Sequence, residues 1–142
     1  MSSLDDLDSH LTRTGLPYEQ LGHSTWVISP QTQHSTSIAV SADEPIVLFS
    51  LPVLELSTEQ QQEVKLFRAL LELNAELLHS SYSLQGNKVV LSGAQQLENL
   101  DFNEFQAMID DMCMALDNHW DKLSEWGLHD QNDDQRKAGG DA

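Results

Sequence analysis

The sequence predicts an α+β fold of one domain, in the order helix, three strands, helix, two strands, helix. Two long segments, residues 64–78 and 101–126, carry apolar residues at helical spacing. Short β-favouring runs, bounded by Pro, Gly, Asn and Asp, lie before and between these segments. The length of 142 residues is typical of a single domain. We therefore expect one antiparallel sheet of five strands with flanking helices.

The first predicted helix is short and amphipathic. Leu4, Leu7 and Leu11 recur at helical spacing, and acidic residues precede and accompany them. Gly15 and Pro17 predict that the helix ends near Thr14. Because this helix is short and amphipathic, its apolar stripe must dock on another part of the protein.

Three β-favouring runs follow and predict an antiparallel meander. The runs are Trp26–Ile28, Ser37–Ser41 and Ile46–Leu51. The segment 31–36 between the first two is polar and turn-like, and Asp43-Glu44-Pro45 predicts a turn between the last two. Pro52 predicts the end of the third strand.

The central helix is predicted to run from Val64 to Leu78. Ser57 with Gln60 three residues later has the pattern of a capping box before it. The helix is apolar over a wider arc than the single stripe of an ordinary surface helix. Two interpretations follow: the helix is buried centrally in its own domain, or one side covers the sheet and the other contacts a second subunit.

A hairpin and a long last helix complete the predicted fold. Gln85-Gly86-Asn87 predicts the hairpin turn, because glycine supplies the positive φ that such turns need. Asp101 with Glu104 predicts a second capping box, and Gly127 is placed as a C-cap glycine. We expect residues 1–128 to form a single domain and residues 129–142 a disordered acidic tail.

The charge of the chain excludes several classes of partner. With 23 acidic and 7 basic residues, the net charge is −16. Nucleic acid and anionic membrane surfaces would both repel such a protein. The first residues lack the basic region and apolar run of a signal peptide, so we expect none there, and no apolar run has the length of a membrane helix. One cysteine excludes an internal disulfide framework, so we expect a cytoplasmic protein without membrane insertion.

No pattern of catalytic residues is present in the sequence. Cys113 lies in the middle of a helix beside two methionines, as a small buried hydrophobe would. The six histidines form no zinc-protease motif, and the glycines form no phosphate loop. Asp117 and Asp121 share a helix face that is expected to be solvated, while His119 points away from them, so the three are not expected to hold a metal. We predict no catalytic residue, no metal and no cofactor; a small enzyme is the least supported alternative.

Three segments resemble the Tir-chaperone (CesT) family of type III secretion chaperones and the related YbjN-like family. These segments are Leu70–Leu78, Tyr82–Leu91 and Leu97–Phe105, and the long last helix with Trp120 completes the pattern. About 70 residues carry the resemblance, and the first half of the chain matches in the order of its elements. The shared features are patterns of residue type and not a catalytic signature.

The resemblance implies a secretion-chaperone-like fold and an acidic homodimer without enzymatic activity. Such a protein binds a secreted effector or other client and keeps its N-terminal segment soluble and export-competent. By position, the implied client contacts are Leu4, Leu7, Leu11, Trp26, Ile28, Ile38 and Val40. The implied dimer contacts are Leu66, Phe67, Leu70, Leu73 and Leu77. The alternative is a YbjN-like cytoplasmic adaptor or regulator with the same fold and no export role.

Overall fold

A computed structural model describes residues 3–30 and 36–127 of the chain. Its elements are α1 (Ser3–Arg13), β1 (Tyr18–Gln20), β2 (Thr25–Ile28), β3 (Ile38–Asp43), β4 (Ile46–Glu55), α2 (Val64–Asn74), β5 (Ser81–Gln85), β6 (Lys88–Gln96) and α3 (Phe102–Ser124). The predicted α+β class and the order of its elements are confirmed, with one strand more than expected. The predictions of a polar turn over residues 31–35 and of a disordered tail over 129–142 lie outside the described residues.

All six strands form one antiparallel sheet in the order β1-β2-β3-β4-β6-β5. The prediction of five strands was wrong because β1 contains only Tyr18, Glu19 and Gln20, all of them exposed. This segment has neither alternation nor an apolar run. It becomes a strand by pairing with β2, with Tyr18 opposite Ile28.

Pro52 does not end β4, which continues to Glu55. The pairs between β3 and β4 extend only from Ile46 to Ser50 on the β4 side, so Pro52 lies beyond them. On its other side Pro52 stands opposite Val90 of β6, and the register shifts between Pro52 and Leu54. A proline without a backbone donor is tolerated at such a bulge because no ladder hydrogen bond is lost there.

The predicted capping box is present, but it begins a short 3₁₀ turn that precedes α2 and not α2 itself. The Ser57 N–H donates to Gln60 Oε1 (3.0 Å) and the Gln60 N–H donates to Ser57 Oγ (3.2 Å). This pair starts a single 3₁₀ turn, Gln60–Gln62, and the side chain of Glu63 then caps α2. The second predicted capping box, Asp101 with Glu104, is confirmed at the start of α3.

Helix α2 ends at Asn74 and not at Leu78. The reason lies in the side chain of Asn74, which binds the backbone of β5. Its amide Nδ2 donates to the Tyr82 carbonyl (3.2 Å) and its Oδ1 accepts from the Tyr82 N–H (2.7 Å). Leu77 and Leu78 therefore belong to the connection between α2 and β5.

The core lies on one face of the sheet. Alternate residues of the strands point into it, for example Phe49 and Leu51 of β4, which are at most 1% exposed. Helix α3 contributes residues at helical spacing, among them Phe105, Ile109 and Met112. The structure thus covers one face of the sheet and leaves the other face, built from the intervening strand residues, more open.

Helix α1 is fixed to the rest of the domain by apolar and polar contacts. Leu7 and Leu11 are fully buried in the core. The His10 Nε2–H donates to the Leu100 carbonyl (2.8 Å), and the Arg13 guanidinium lies 4.4 Å from the ring centroid of Phe102. The docking predicted from the narrow apolar stripe is therefore present. Among the described residues, no helix has both the length and the apolarity needed to cross a membrane.

Candidate protein-binding surfaces

Six of the seven predicted client contacts lie in the core of the single chain. Leu4 is half-buried, and the other six, which are at most 2% exposed, are Leu7, Leu11, Trp26, Ile28, Ile38 and Val40. The structure brings all seven together in or against one apolar cluster. While α1 remains docked, a client cannot reach the six buried side chains.

The strand neighbours of these residues form the open face of the sheet. Val27 stands opposite Ala39, and Ala39 stands opposite Ser50 of β4. Their side chains are half-buried, whereas Leu48, on the same face, is 39% exposed. This face is uncharged at its centre, although the chain has a net charge of −16.

The predicted dimer contacts divide between the two sides of α2. Leu66, Leu70 and Leu73 are at most 7% exposed and belong to the core of the single chain. Phe67 and Leu77 are half-buried. A second subunit could therefore cover little additional area on the first three.

An exposed apolar patch is present on the opposite side of α2. Val64 is 73% exposed, and Leu71, seven residues later on the same helix face, is 70% exposed. Phe67 lies between them on that face. Leu84 of β5 is 51% exposed, and its strand lies beside α2. We call Val64, Phe67, Leu71 and Leu84 the α2 patch. The two apolar sides expected for this helix are thus observed.

One edge of the sheet is partly blocked by a side chain. Since Asn74 binds both the N–H and the carbonyl of Tyr82, these two groups of β5 are not open to an added strand. The other edge is β1, whose three residues are all exposed. An extended partner that adds a strand to this sheet would therefore do so at β1 more easily than at Tyr82.

Two clefts flank α3 and share the side chain of Met114, which is 59% exposed. The first cleft, of about 230 Å³, lies between α3 and the connection after α2. The second, of about 500 Å³, lies between α3, Pro30 and the turn after α1, at Thr14 and Leu16. No role for Met114 is predicted from the sequence, although the helical spacing places it on the acidic side of an amphipathic helix.

A partly buried polar network joins β5, α3 and the connection after α2. Tyr82 Oη lies 2.7 Å from His119 Nδ1, and His119 Nε2 lies 3.2 Å from Glu76 Oε1. His119 is only 4% exposed and points away from the helix face that Asp117 and Asp121 share. A tautomer with hydrogen on Nε2 satisfies both contacts, with the Tyr82 hydroxyl donating to Nδ1. Its spacing from Leu116 and Leu123 could have placed His119 on the buried face.

Tyr82, His119 and Glu76 form a hydrogen-bonded contact at the border of the core. Burial raises the pKa of the Tyr82 phenol well above its usual range, and the Glu76 carboxylate adds to the rise. A phenol whose proton is held so firmly is a poor acid at neutral pH. Within residues 3–30 and 36–127, no three His, Cys, Asp or Glu side chains are placed to hold a metal ion.

Cys113 is expected to react slowly with thiol reagents. Burial, with the nearby carboxylates of Asp110 and Asp117, raises its pKa to about 11. At pH 8 the smaller thiolate fraction, partly offset by greater nucleophilicity, should make alkylation by iodoacetamide about tenfold slower than that of a model thiol. Mass spectrometry of timed samples measures the rate. A rate equal to that of the model thiol would contradict this environment for Cys113.

Comparison with known proteins identifies a matching family and a similar solved structure. A model of the CesT_Tir_1 family matches residues 3–129. The chain is similar in structure to YbjN from E. coli, a candidate transcription regulator, with 15% sequence identity and a TM-score of 0.62. The similarity covers 89% of this chain and 94% of that chain. Among curated proteins, no sequence matches.

Proposed function

Because the chain belongs to the CesT_Tir_1 family, we propose that it binds a client protein and keeps the client's N-terminal segment soluble and export-competent. The resemblance to this family and to YbjN-like proteins, found from the sequence, is confirmed. The proposed client is a secreted effector, and the proposed location is the cytoplasm. The family is non-catalytic in general, and we propose that this member also has no enzymatic activity.

The family match over residues 3–129 is the observation that carries this proposal. Exposed apolar side chains support it, since Val64, Leu71 and Leu78 are each at least 70% exposed. Single exposed apolar residues are ordinary, but several on neighbouring parts of one fold are typical of a protein-binding surface. The net charge of −16 keeps such a surface dispersed in solution and favours clients of opposite charge.

Co-purification from the native host tests the proposal. The full chain, carrying an affinity tag, should recover a secreted protein in a defined ratio. A client lacking its N-terminal segment should no longer be recovered, whereas a client shortened at its C-terminus should be. Recovery that does not depend on the N-terminal segment would contradict the export role.

A second candidate is a YbjN-like cytoplasmic adaptor or regulator with the same fold and no export role. The structural similarity to YbjN favours it, although at 15% identity this similarity shows the fold alone. The two candidates differ in their partner. An adaptor should recover a protein that stays in the cytoplasm, whereas a secretion chaperone should recover one that is exported.

We also propose that the chain is a homodimer joined through the α2 patch. Leu71→Glu should then give a folded monomer at micromolar concentration, because a carboxylate in an apolar interface loses its water without gaining a partner. Light scattering after size-exclusion chromatography measures the mass, and circular dichroism the fold. Leu70→Glu, at a position only 7% exposed, should instead destabilise the fold.

Leu48→Glu is the matched control, since Leu48 is 39% exposed on the open face of the sheet, away from α2. This variant should keep the dimer mass. A Leu71→Glu variant that stays dimeric, or a wild-type protein that is a monomer at micromolar concentration, would overturn the proposed dimer.

A further inference from the structure

We propose that the two clefts beside Met114 bind an extended client segment that carries both apolar and basic side chains. This inference rests on the proposed function and names the surface and the client chemistry. The clefts lie on opposite sides of α3 and share Met114, so together they form one continuous surface across the helix. The α2 patch and the open face of the sheet are separate from it.

The floor of this surface is apolar. Leu78, which is 92% exposed, lines the first cleft together with Ala115. Leu16 and Ile109 line the second. Met114 stands between the clefts, and its flexible thioether adapts to side chains of different shapes. A surface of this kind can hold apolar side chains without demanding a single sequence.

The walls of both clefts are acidic. Glu76 and Asp111 line the first cleft, and Asp110 and Asp117 line the second; among the described residues, no Lys or Arg lines either one. Asp111 lies 3.3 Å from His79 Nε2, and Asp110 accepts a hydrogen bond from Gln106 Nε2 (2.9 Å). These carboxylates point to Lys or Arg side chains in the occupant.

The charge also decides between possible occupants. If the clefts of two copies faced each other, their acidic walls would repel, whereas the α2 patch proposed for the dimer carries no charge. Nucleic acid is excluded for the same reason. A basic protein segment is attracted by both the local carboxylates and the charge of the whole chain.

The geometry favours an extended segment. To place side chains in both clefts, the occupant must cross α3, whose diameter with side chains is about 10–12 Å. An extended chain advances about 3.3 Å per residue, so two apolar anchors roughly four residues apart would reach both clefts. The basic side chains would lie between and beside these anchors, over the acidic walls.

A titration with synthetic peptides tests this inference. The probe has the core Leu-Ser-Lys-Ser-Leu, which places its Lys on the same face of an extended chain as both Leu side chains. It carries a fluorophore, and anisotropy measures its binding to the full chain. Control peptides have the cores Leu-Ser-Glu-Ser-Leu and Ser-Ser-Lys-Ser-Ser. We expect both controls to bind at least tenfold more weakly than the probe, because each lacks one of the two kinds of contact. Equal binding of the Ser-Ser-Lys-Ser-Ser peptide would overturn the inference.

Substitutions in the protein locate the binding site. Met114→Ser and the pair Asp110→Asn/Asp111→Asn should each weaken binding of the probe at least fivefold. The matched control Asp5→Asn/Asp6→Asn changes the net charge by the same amount at two exposed positions of α1 and should alter the affinity less than twofold. Equal weakening by both pairs would mean that only the overall charge attracts the peptide, and would overturn the proposed site.

Two further outcomes separate this site from the general function. If a co-purified client binds wild type and Met114→Ser with equal affinity, the chaperone role stands and the α3 site is wrong. If Met114→Ser converts a wild-type dimer into a monomer, the clefts are a subunit interface, and the site is again wrong. Circular dichroism of each variant confirms that an affinity change does not come from unfolding.

Discussion

Phe105→Ala is expected to lower the free energy of unfolding by about 3–5 kcal/mol. The Phe105 side chain is fully buried, and its ring centroid lies 5.5 Å from that of Phe49 and 5.7 Å from that of His10. Removal of the ring leaves a cavity where α1, the sheet and α3 meet. Urea denaturation at one fixed protein concentration measures the effect, since dimerisation would make stability depend on concentration.

Phe102→Ala provides the control on the same helix. Phe102 is only half-buried and contacts Arg13 and His10 at the surface. We expect this change to lower the free energy of unfolding by about 1 kcal/mol, within the range of ordinary substitutions. If Phe105→Ala were no more harmful than Phe102→Ala, the core would not be centred where the structure places it.

Tyr82→Phe is expected to lower the free energy of unfolding by about 1–3 kcal/mol, because His119 Nδ1 loses its buried partner. His119→Leu should cost less in the Tyr82→Phe protein than in wild type, since both changes remove the same hydrogen bond. Tyr18→Phe is the control: Tyr18 is 37% exposed and its hydroxyl contacts Thr12 at the surface. A difference of less than about 0.5 kcal/mol between the two Tyr→Phe variants would contradict the network.

Wild type and Tyr82→Phe should also differ in how their free energy of unfolding changes at alkaline pH. Folding raises the pKa of Tyr82 above its ordinary value of 10.0, so the folded state holds the phenol proton more firmly. The resulting stabilisation is fully present below about pH 10 and is lost as the pH rises above it. Between pH 10 and 11.5, wild type should therefore lose more stability than Tyr82→Phe. Parallel curves for the two proteins would contradict the raised pKa.

The sequence identified the fold because apolar spacing and turn residues agree along most of the chain. The capping box at Asp101 and the hairpin turn at Gly86 are local features, and the structure contains both. The errors came from interactions between distant residues. Strand β1 exists only through its pairing with β2, and α2 ends at Asn74 because its side chain binds Tyr82, eight residues away.

The candidate site was harder to predict than the fold. The resemblance implies that Trp26, Ile38 and Val40 contact a client, but the period of two in a strand turns their side chains to the buried face. Their neighbours Val27 and Ala39 face outwards. The same reversal occurs on α2, where Leu70 is buried and Leu71 is exposed. A sequence shows that a helix has two apolar sides, but only the packing decides which side the sheet covers.

The central claim, that this chain keeps a client segment soluble, is tested most directly by light scattering of the co-purified client. The client is diluted out of denaturant into buffer, either without the chain or with an equimolar amount of the wild-type chain. We predict that wild type suppresses the scattering of the full-length client and leaves that of a client without its N-terminal segment unchanged. Equal suppression for both forms of the client, or no suppression at all, would contradict the chaperone role.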